Sequence, residues 1–330
     1  MNLKHRAVLL FSAALPAAVI LWGCVIPRWA VEKWGEDQYM SYRIDERNLA
    51  LFTYPRQSYP YNRQGIRQAV SDIHEAILSG GRMKPLVVFI HGRGKHPEKA
   101  YGDDDTVGED ILFRIESEYE SNVLMFHWPS WLTPWGYPSK NAEESGAHLG
   151  LLFDELGRYR RINAEKVREI KSTLLIHSMG ARVMKRFLTG YEEGLAGRSP
   201  LFDSIVFNAP DVDLSGHRIW MNRIDFAGAV YVTVNPGQDE LLKFSEYLLG
   251  TPRLGRSLRQ EDGSAEPLAE GAAYLDVSAA DVNHDYFIGA DRSEPLVSFY
   301  RNVIMNTGVD PLKGPGVSEA DQPRVYAVFP

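Results

Sequence analysis

Between Pro85 and Met305, short apolar runs alternate with stretches whose apolar residues recur every three or four positions. Pro85–Ile90, Asn122–His127, Leu174–Ile176, Leu201–Asn208, Ala227–Val234 and Ala272–Val277 read as buried strands. Gln64–Leu78, Glu109–Ser117, Asn141–Tyr159, Ala164–Ile170, Ala181–Leu188, Leu214–Ile224, Leu241–Leu249 and Glu294–Met305 read as helices around them. Such alternation leaves few topologies: a mainly parallel, doubly wound sheet with helices on both faces, the α/β class. The 330 residues suffice for one large domain of this kind. Thr251–Glu270 is polar and reads as an irregular insertion.

The run Leu174–Ile176 ends abruptly in His177-Ser178-Met179-Gly180, and helical spacing begins at once with Ala181. A serine on so sharp a strand-to-helix turn has its hydroxyl pushed clear of the sheet, where a base can reach it. The amide of Met179, opening the new helix, points toward the place where an oxyanion would develop. Gly180 lets the helix lie close behind the strand. The plainer alternative is a serine that merely caps a helix.

A serine needs a base to take its proton and an acid to orient that base. The histidines beyond the turn are His217, in a helical stretch, and His284, in the loop after the last strand. Carboxylates follow two strands: Asp211 and Asp213 after Leu201–Asn208, and Asp239 after Ala227–Val234. Alone, His284 reads as a loop histidine and Asp239 as a helix cap. The strand Pro85–Ile90 runs straight into His91-Gly92-Arg93-Gly94, whose glycines let backbone approach a reacting group closely.

The His-Ser-Met-Gly turn after an aliphatic strand, the Trp128-Pro129-Ser130 turn and the segment Ala209-Pro210-Asp211-Val212-Asp213 together resemble the α/β-hydrolases, in their bacterial esterase- or lipase-like branch, over about Pro85–Met305. Ile176 stands where the usual G-x-S-x-G has its first glycine. The resemblance implies Ser178 as nucleophile, His284 as base ahead of His217, and Asp239 as acid ahead of Asp213 and then Asp211. Met179 and Gly92 or Arg93 would supply oxyanion amides. It further implies hydrolysis of a small-molecule or lipid ester through an acyl-enzyme, with no cofactor. A catalytically inactive binding or scaffolding module on the same fold is the alternative.

A net charge of −7 without a basic patch argues against nucleic acid as a partner. Asp103-Asp104-Asp105 matches no calcium loop, so it reads as a solvated acidic turn and no metal is expected. Trp128, Trp131 and Trp135 are candidates for an apolar pocket wall. At the N-terminus Lys4, His5 and Arg6 precede an uncharged apolar run, Ala7–Gly23, and then Cys24, the sole cysteine. This resembles the signal and lipobox of bacterial lipoproteins, implying cleavage before Cys24 and its lipidation. An uncleaved membrane anchor is the alternative. Either places the protein, membrane-tethered, in the cell envelope. The expected organisation is residues 1–23 signal or anchor, 24–62 tether with edge strands, 63–306 hydrolase domain and 307–330 tail.

Overall fold

The computed structural model describes residues 49–53, 57–93, 111–130, 138–190, 200–288, 292–320 and 322–329. The expected signal with Cys24, most of the tether, Asp103–Asp105 and both Trp131 and Trp135 lie outside them.

The strands are β1 (Ala50–Thr53), β2 (Gln57–Pro60), β3 (Leu86–Ile90), β4 (Asn122–His127), β5 (Ser172–His177), β6 (Phe202–Asn208), β7 (Ala227–Val234), β8 (Ala272–Asp276), β9 (Val317–Glu319) and β10 (Val325–Val328). They form one ten-stranded sheet in the order β2-β1-β4-β3-β5-β6-β7-β8-β10-β9. From β4 to β10 every pairing is parallel; β1 and β2 on one side and β9 on the other join antiparallel. The expected α/β architecture therefore holds. Every residue of β3 and β5 is buried, which is why these strands carry unbroken apolar runs in place of alternation.

Among the described residues the α-helices are α1 (Arg63–Ser79), α2 (Ile111–Tyr119), α3 (Ser139–Gly146), α4 (Leu149–Ile162), α5 (Ala164–Val167), α6 (Gly180–Gly190), α7 (His217–Met221), α8 (Glu240–Leu249) and α9 (Glu294–Met305). α1 starts where Asn62 caps it, its side chain accepting from Gly65 N at 2.9 Å. α9 closes the core beside β5, with Leu296, Phe299, Tyr300, Val303 and Ile304 buried.

Two of the expected helices are corrected. The single helix over Asn141–Tyr159 is two, α3 and α4. A Cβ on Gly146 would lie 2.3 Å from the Val183 carbonyl oxygen, so α3 abuts α6 and the chain turns through tight bonds, His148 N to Ser145 O and Leu151 N to His148 O. The helix expected over Leu214–Ile224 shortens to α7, because Gly216 takes φ +71° and Leu214 N bonds Pro252 O instead. Thr251–Glu270 is irregular, as expected, and it is tied down: Leu254 N bonds Val212 O, and Asn235 N bonds Gly255 O, which stitches it between the loops after β6 and β7. The edge strands expected within 24–62 are present, β1 and β2 extending the sheet at one end; at the other, β10 from the 307–330 tail pairs with β8, and β9 is the outermost strand.

Candidate active site

The parallel register aligns the C-terminal ends of β3, β5, β6 and β7, since Ile90 pairs with Ile176 and His177 with Asn208. Loops leaving one edge of such a sheet are where α/β proteins assemble their sites. Ile176 is buried within β5, and the turn forms without the glycine that the pattern would place there. Ser178 sits at φ +52°, a conformation costing a non-glycine residue about 1–3 kcal/mol. Backbone bonds over-determine it: Ser178 N donates to Asn208 O at 2.9 Å, and its carbonyl accepts from Ala181 N and Asp211 N, both at 3.0 Å.

Close approach explains the two glycines around it. A Cβ on Gly180 would lie 2.6 Å from the Ile90 carbonyl oxygen, so a side chain there would push α6 off β3. A Cβ on Gly92 would lie 2.7 Å from the Ser178 Cβ; the loop after β3 thus runs with bare backbone against the serine. Met179 is buried beside it and Arg93 exposed. We expect Gly92→Ala to lower kcat about 10- to 100-fold, because sub-ångström displacement of reacting groups costs that much. Steady-state hydrolysis of a p-nitrophenyl ester, alongside a thermal melt, checks it.

His91 anchors this loop. Its Nδ1 lies 2.8 Å from Gly92 O, its Nε2 accepts from Trp128 N at 3.3 Å, and Trp128 Nε1 donates to its carbonyl at 2.8 Å. The ring stacks between His127 and Trp128, at centroid distances of 5.0 and 5.5 Å. Desolvation pushes its pKa down to about 4, so it stays neutral. Trp128 is fully buried against His91; it props the loop and does not form a pocket wall.

Asp239 and His284 meet. Asp239 ends the loop after β7 and caps α8, its Oδ1 accepting from Leu242 N at 2.9 Å. Its Oδ2 lies 2.7 Å from His284 Nδ1. Burial alone would lower the His284 pKa, but the Asp239 hydrogen bond and charge outweigh it, and the pKa lies above the ordinary value. Asn235, fully buried at the end of β7, holds the histidine's loop by donating to Val282 O at 2.8 Å. His284 reaches the elbow through two contacts: its ring lies 4.8 Å from that of His177, and its carbonyl lies 3.5 Å from Asn208 Nδ2.

The other candidates are engaged in other bonds. His217 is a core histidine, 2.8 Å from Leu214 O through Nδ1 and 2.8 Å from the Tyr274 hydroxyl through Nε2. Asp211 and Asp213 both face Arg253, at 2.9 Å from Nε and 2.6 Å from Nη1. Among the described residues, no three His, Cys, Asp or Glu side chains are placed to hold a metal ion.

Comparison with known proteins accords with this architecture. A family model described as an alpha/beta hydrolase of unknown function (DUF900) matches residues 66–301. The chain belongs to that family. No curated protein matches this hydrolase in sequence. Among solved structures it is similar to a predicted CIB-like hydrolase from Thermoplasma acidophilum, with 14% identity over 67% of this chain and 86% of that one, and a TM-score of 0.32. It is also similar to the thermophilic esterase Est2 of Thermogutta terrifontis, with 11% identity over 63% of this chain and 74% of that one, and a TM-score of 0.27.

His177, Asn208, Asn235 and Asp285 also belong to the site and were not among the sequence candidates. The available signal was position: His177 and Asp285 are chain neighbours of Ser178 and His284, and each asparagine ends an apolar strand.

Proposed function

We propose that this α/β-hydrolase is a serine hydrolase that cleaves carboxylic esters through Ser178, His284 and Asp239, and that it works tethered to the cell-envelope membrane. The observation that carries the reading is the buried His284–Asp239 pair, 2.7 Å apart, whose imidazole lies 4.8 Å from the ring of His177, the residue before a serine held at φ +52°. With Nδ1–H donated to Asp239, His284 keeps its lone pair on Nε2 for the serine proton. Ser178 Oγ attacks the ester carbonyl, His284 takes its proton, and the tetrahedral oxyanion is held by backbone amides at Met179 and at Gly92 or Arg93. Each such donor contributes about 2.7–4 kcal/mol in characterised hydrolases. Collapse expels the alcohol, protonated by His284. Water then attacks the acyl-enzyme by the same steps and releases the acid.

The tether rests on the sequence of residues 1–24: the basic start, the apolar run and Cys24, lipidated in this reading. Among the described residues no helix is long and apolar enough to cross a membrane.

A fluorophosphonate probe should label the wild-type protein and fail to label Ser178→Ala. A series of p-nitrophenyl esters of increasing acyl length should be hydrolysed by the same protein that labels. Labelling that persists in the serine variant refutes the nucleophile; a wild-type protein that neither labels nor hydrolyses favours the binding-module alternative.

The pH profile follows from the base. Protonated His284 cannot accept the serine proton, and its raised pKa keeps it protonated to a higher pH than a free histidine. We therefore expect kcat/KM to rise with pH through a single limb whose midpoint exceeds histidine's ordinary 6.5. Asp239→Asn should move that midpoint down, since only the smaller effects of the Asp285 and Asp211 charges then oppose burial. A wild-type midpoint below 6.5 contradicts the assignment.

A further inference from the structure

A second histidine–aspartate pair crosses the first. His177, immediately before the serine, has its Nε2 3.0 Å from Oδ1 of Asp285, which immediately follows the base. Its Nδ1 lies 3.1 Å from Asn208 Nδ2. The hydrogen-bond partners settle the direction of each bond. Burial keeps the Tyr300 phenol protonated, and it donates to Asn208 Oδ1. The Asn208 amide is thereby turned with its NH₂ toward His177, so His177 Nδ1 accepts and the ring proton is on Nε2. That proton goes to Asp285. Asp285 is ionised, its carboxyl drawn down to about 2 chiefly by the His177 hydrogen bond. Burial holds His177 below the ordinary histidine pKa despite Asp285, so its ring is neutral.

The chain Tyr300–Asn208–His177–Asp285 therefore spans α9, β6, the end of β5 and the loop that carries His284. Asn208 also takes the Ser178 amide on its own carbonyl. Phe287 closes on the His177 ring at 4.9 Å, and the His284 ring lies against it at 4.8 Å.

We propose that His177 and Asp285 form a latch between the nucleophile turn and the base loop, and that this latch sets where His284 stands relative to Ser178. The proposal rests on the Ser178–His284–Asp239 reading above. His177 is a positioning residue and transfers no proton: its acceptor nitrogen is occupied by Asn208 and its donor nitrogen by Asp285. The loop needs such a tie. Val282 and Asn283 are held by Asn235 on the β7 side, and Asp285 holds the β5 side.

Asp285 has a mostly exposed side chain, at 68%, so its removal opens no cavity and isolates the latch from the core. We expect Asp285→Ala to lower kcat for a p-nitrophenyl ester about 10- to 100-fold with KM within about twofold, because displacement of a base acts on the chemical step. Asp285→Asn keeps an acceptor oxygen and should restore most of the rate. His177→Phe should be no worse in the Asp285→Ala background than alone, since both remove one shared contact. Independently of activity, amide hydrogen exchange over residues 282–287 should accelerate in Asp285→Ala, and histidine ring ¹⁵N spectra of the wild type should show the His177 proton on Nε2. Unchanged exchange, strictly additive losses, or a loss confined to KM overturns the latch. Ser178→Ala in the same assay separates the two readings. If that variant keeps the wild-type rate, the triad reading fails, whereas the exchange and ring spectra still decide the latch.

Discussion

Alanine at position 284 should lower kcat on the order of 10⁶-fold, and asparagine at 239 on the order of 10⁴-fold, the scale on which base and orienting acid act in serine hydrolases. Ser178→Ala should match the histidine variant, and the double variant should be little worse than either, since the groups act as one unit. The aspartate is the more informative position. Its two oxygens do different work: Oδ2 faces His284 and Oδ1 caps α8 through Leu242 N. Asparagine still caps a helix but cannot hold the imidazolium that forms as the serine loses its proton. Asp239→Asn should therefore lose rate with little change in unfolding free energy, whereas Asp239→Ala should lose the rate and about 1 kcal/mol of stability besides. Stopped assays with a p-nitrophenyl ester and urea titrations of the same preparations separate the two. An asparagine variant that keeps the wild-type kcat would leave Asp239 as a cap alone.

Much of this fold can be read in the chain because fully buried parallel strands need nothing beyond a local apolar run ended by a breaker. β4, β7 and α9 begin and end at the residues that pattern indicates. Ser178 stands out as a candidate for a related reason, sitting where a strand's apolar run stops and a helix begins, whereas Asp239 and His284 are singled out by chain order, in the loops that follow β7 and β8. What stayed hidden depends on partners remote in the chain. Asn208 and Asn235 look like ordinary turn residues until Tyr300 and the 282–283 carbonyls reach them. His177 and Asp285 are masked by the more conspicuous residues beside them. The split between α3 and α4 follows from contact of Gly146 with α6, which no helical periodicity contains. The stretch after α8 reads as irregular because it is polar, yet one of its arginines, Arg253, is drawn inward by a carboxylate from another strand's loop.

That arginine defines the second large effect. Arg253→Met should destabilise the protein by about 3–5 kcal/mol, the cost of leaving one member of a buried ion pair without its partner. Arg253 is fully buried, with Nε 2.9 Å from Asp211 Oδ1 and Nη1 2.6 Å from Asp213 Oδ1. Asp213 is half exposed and keeps Lys185 at 3.7 Å, so it tolerates the loss. Asp211 does not: it is buried, and burial already holds its pKa above the ordinary carboxylate value with Arg253 opposing the shift. Without the arginine the folded-state pKa must rise further. A carboxyl whose pKa is higher folded than unfolded binds its proton preferentially in the native state, so its penalty grows as pH rises through the folded value and fades below it. The deficit of Arg253→Met should accordingly be largest at neutral pH and shrink on acidification, and Arg253→Met/Asp211→Leu should recover part of it at neutral pH. Because Asp211 N bonds the Ser178 carbonyl and Asp211 Oδ1 takes the Ser245 hydroxyl of α8 at 2.7 Å, the same residue ties the serine's turn, through its backbone, to the helix that Asp239 caps. Urea unfolding at two pH values measures the effect; a deficit that is small, or that widens in acid, would show the pair is not what holds Asp211 in the interior.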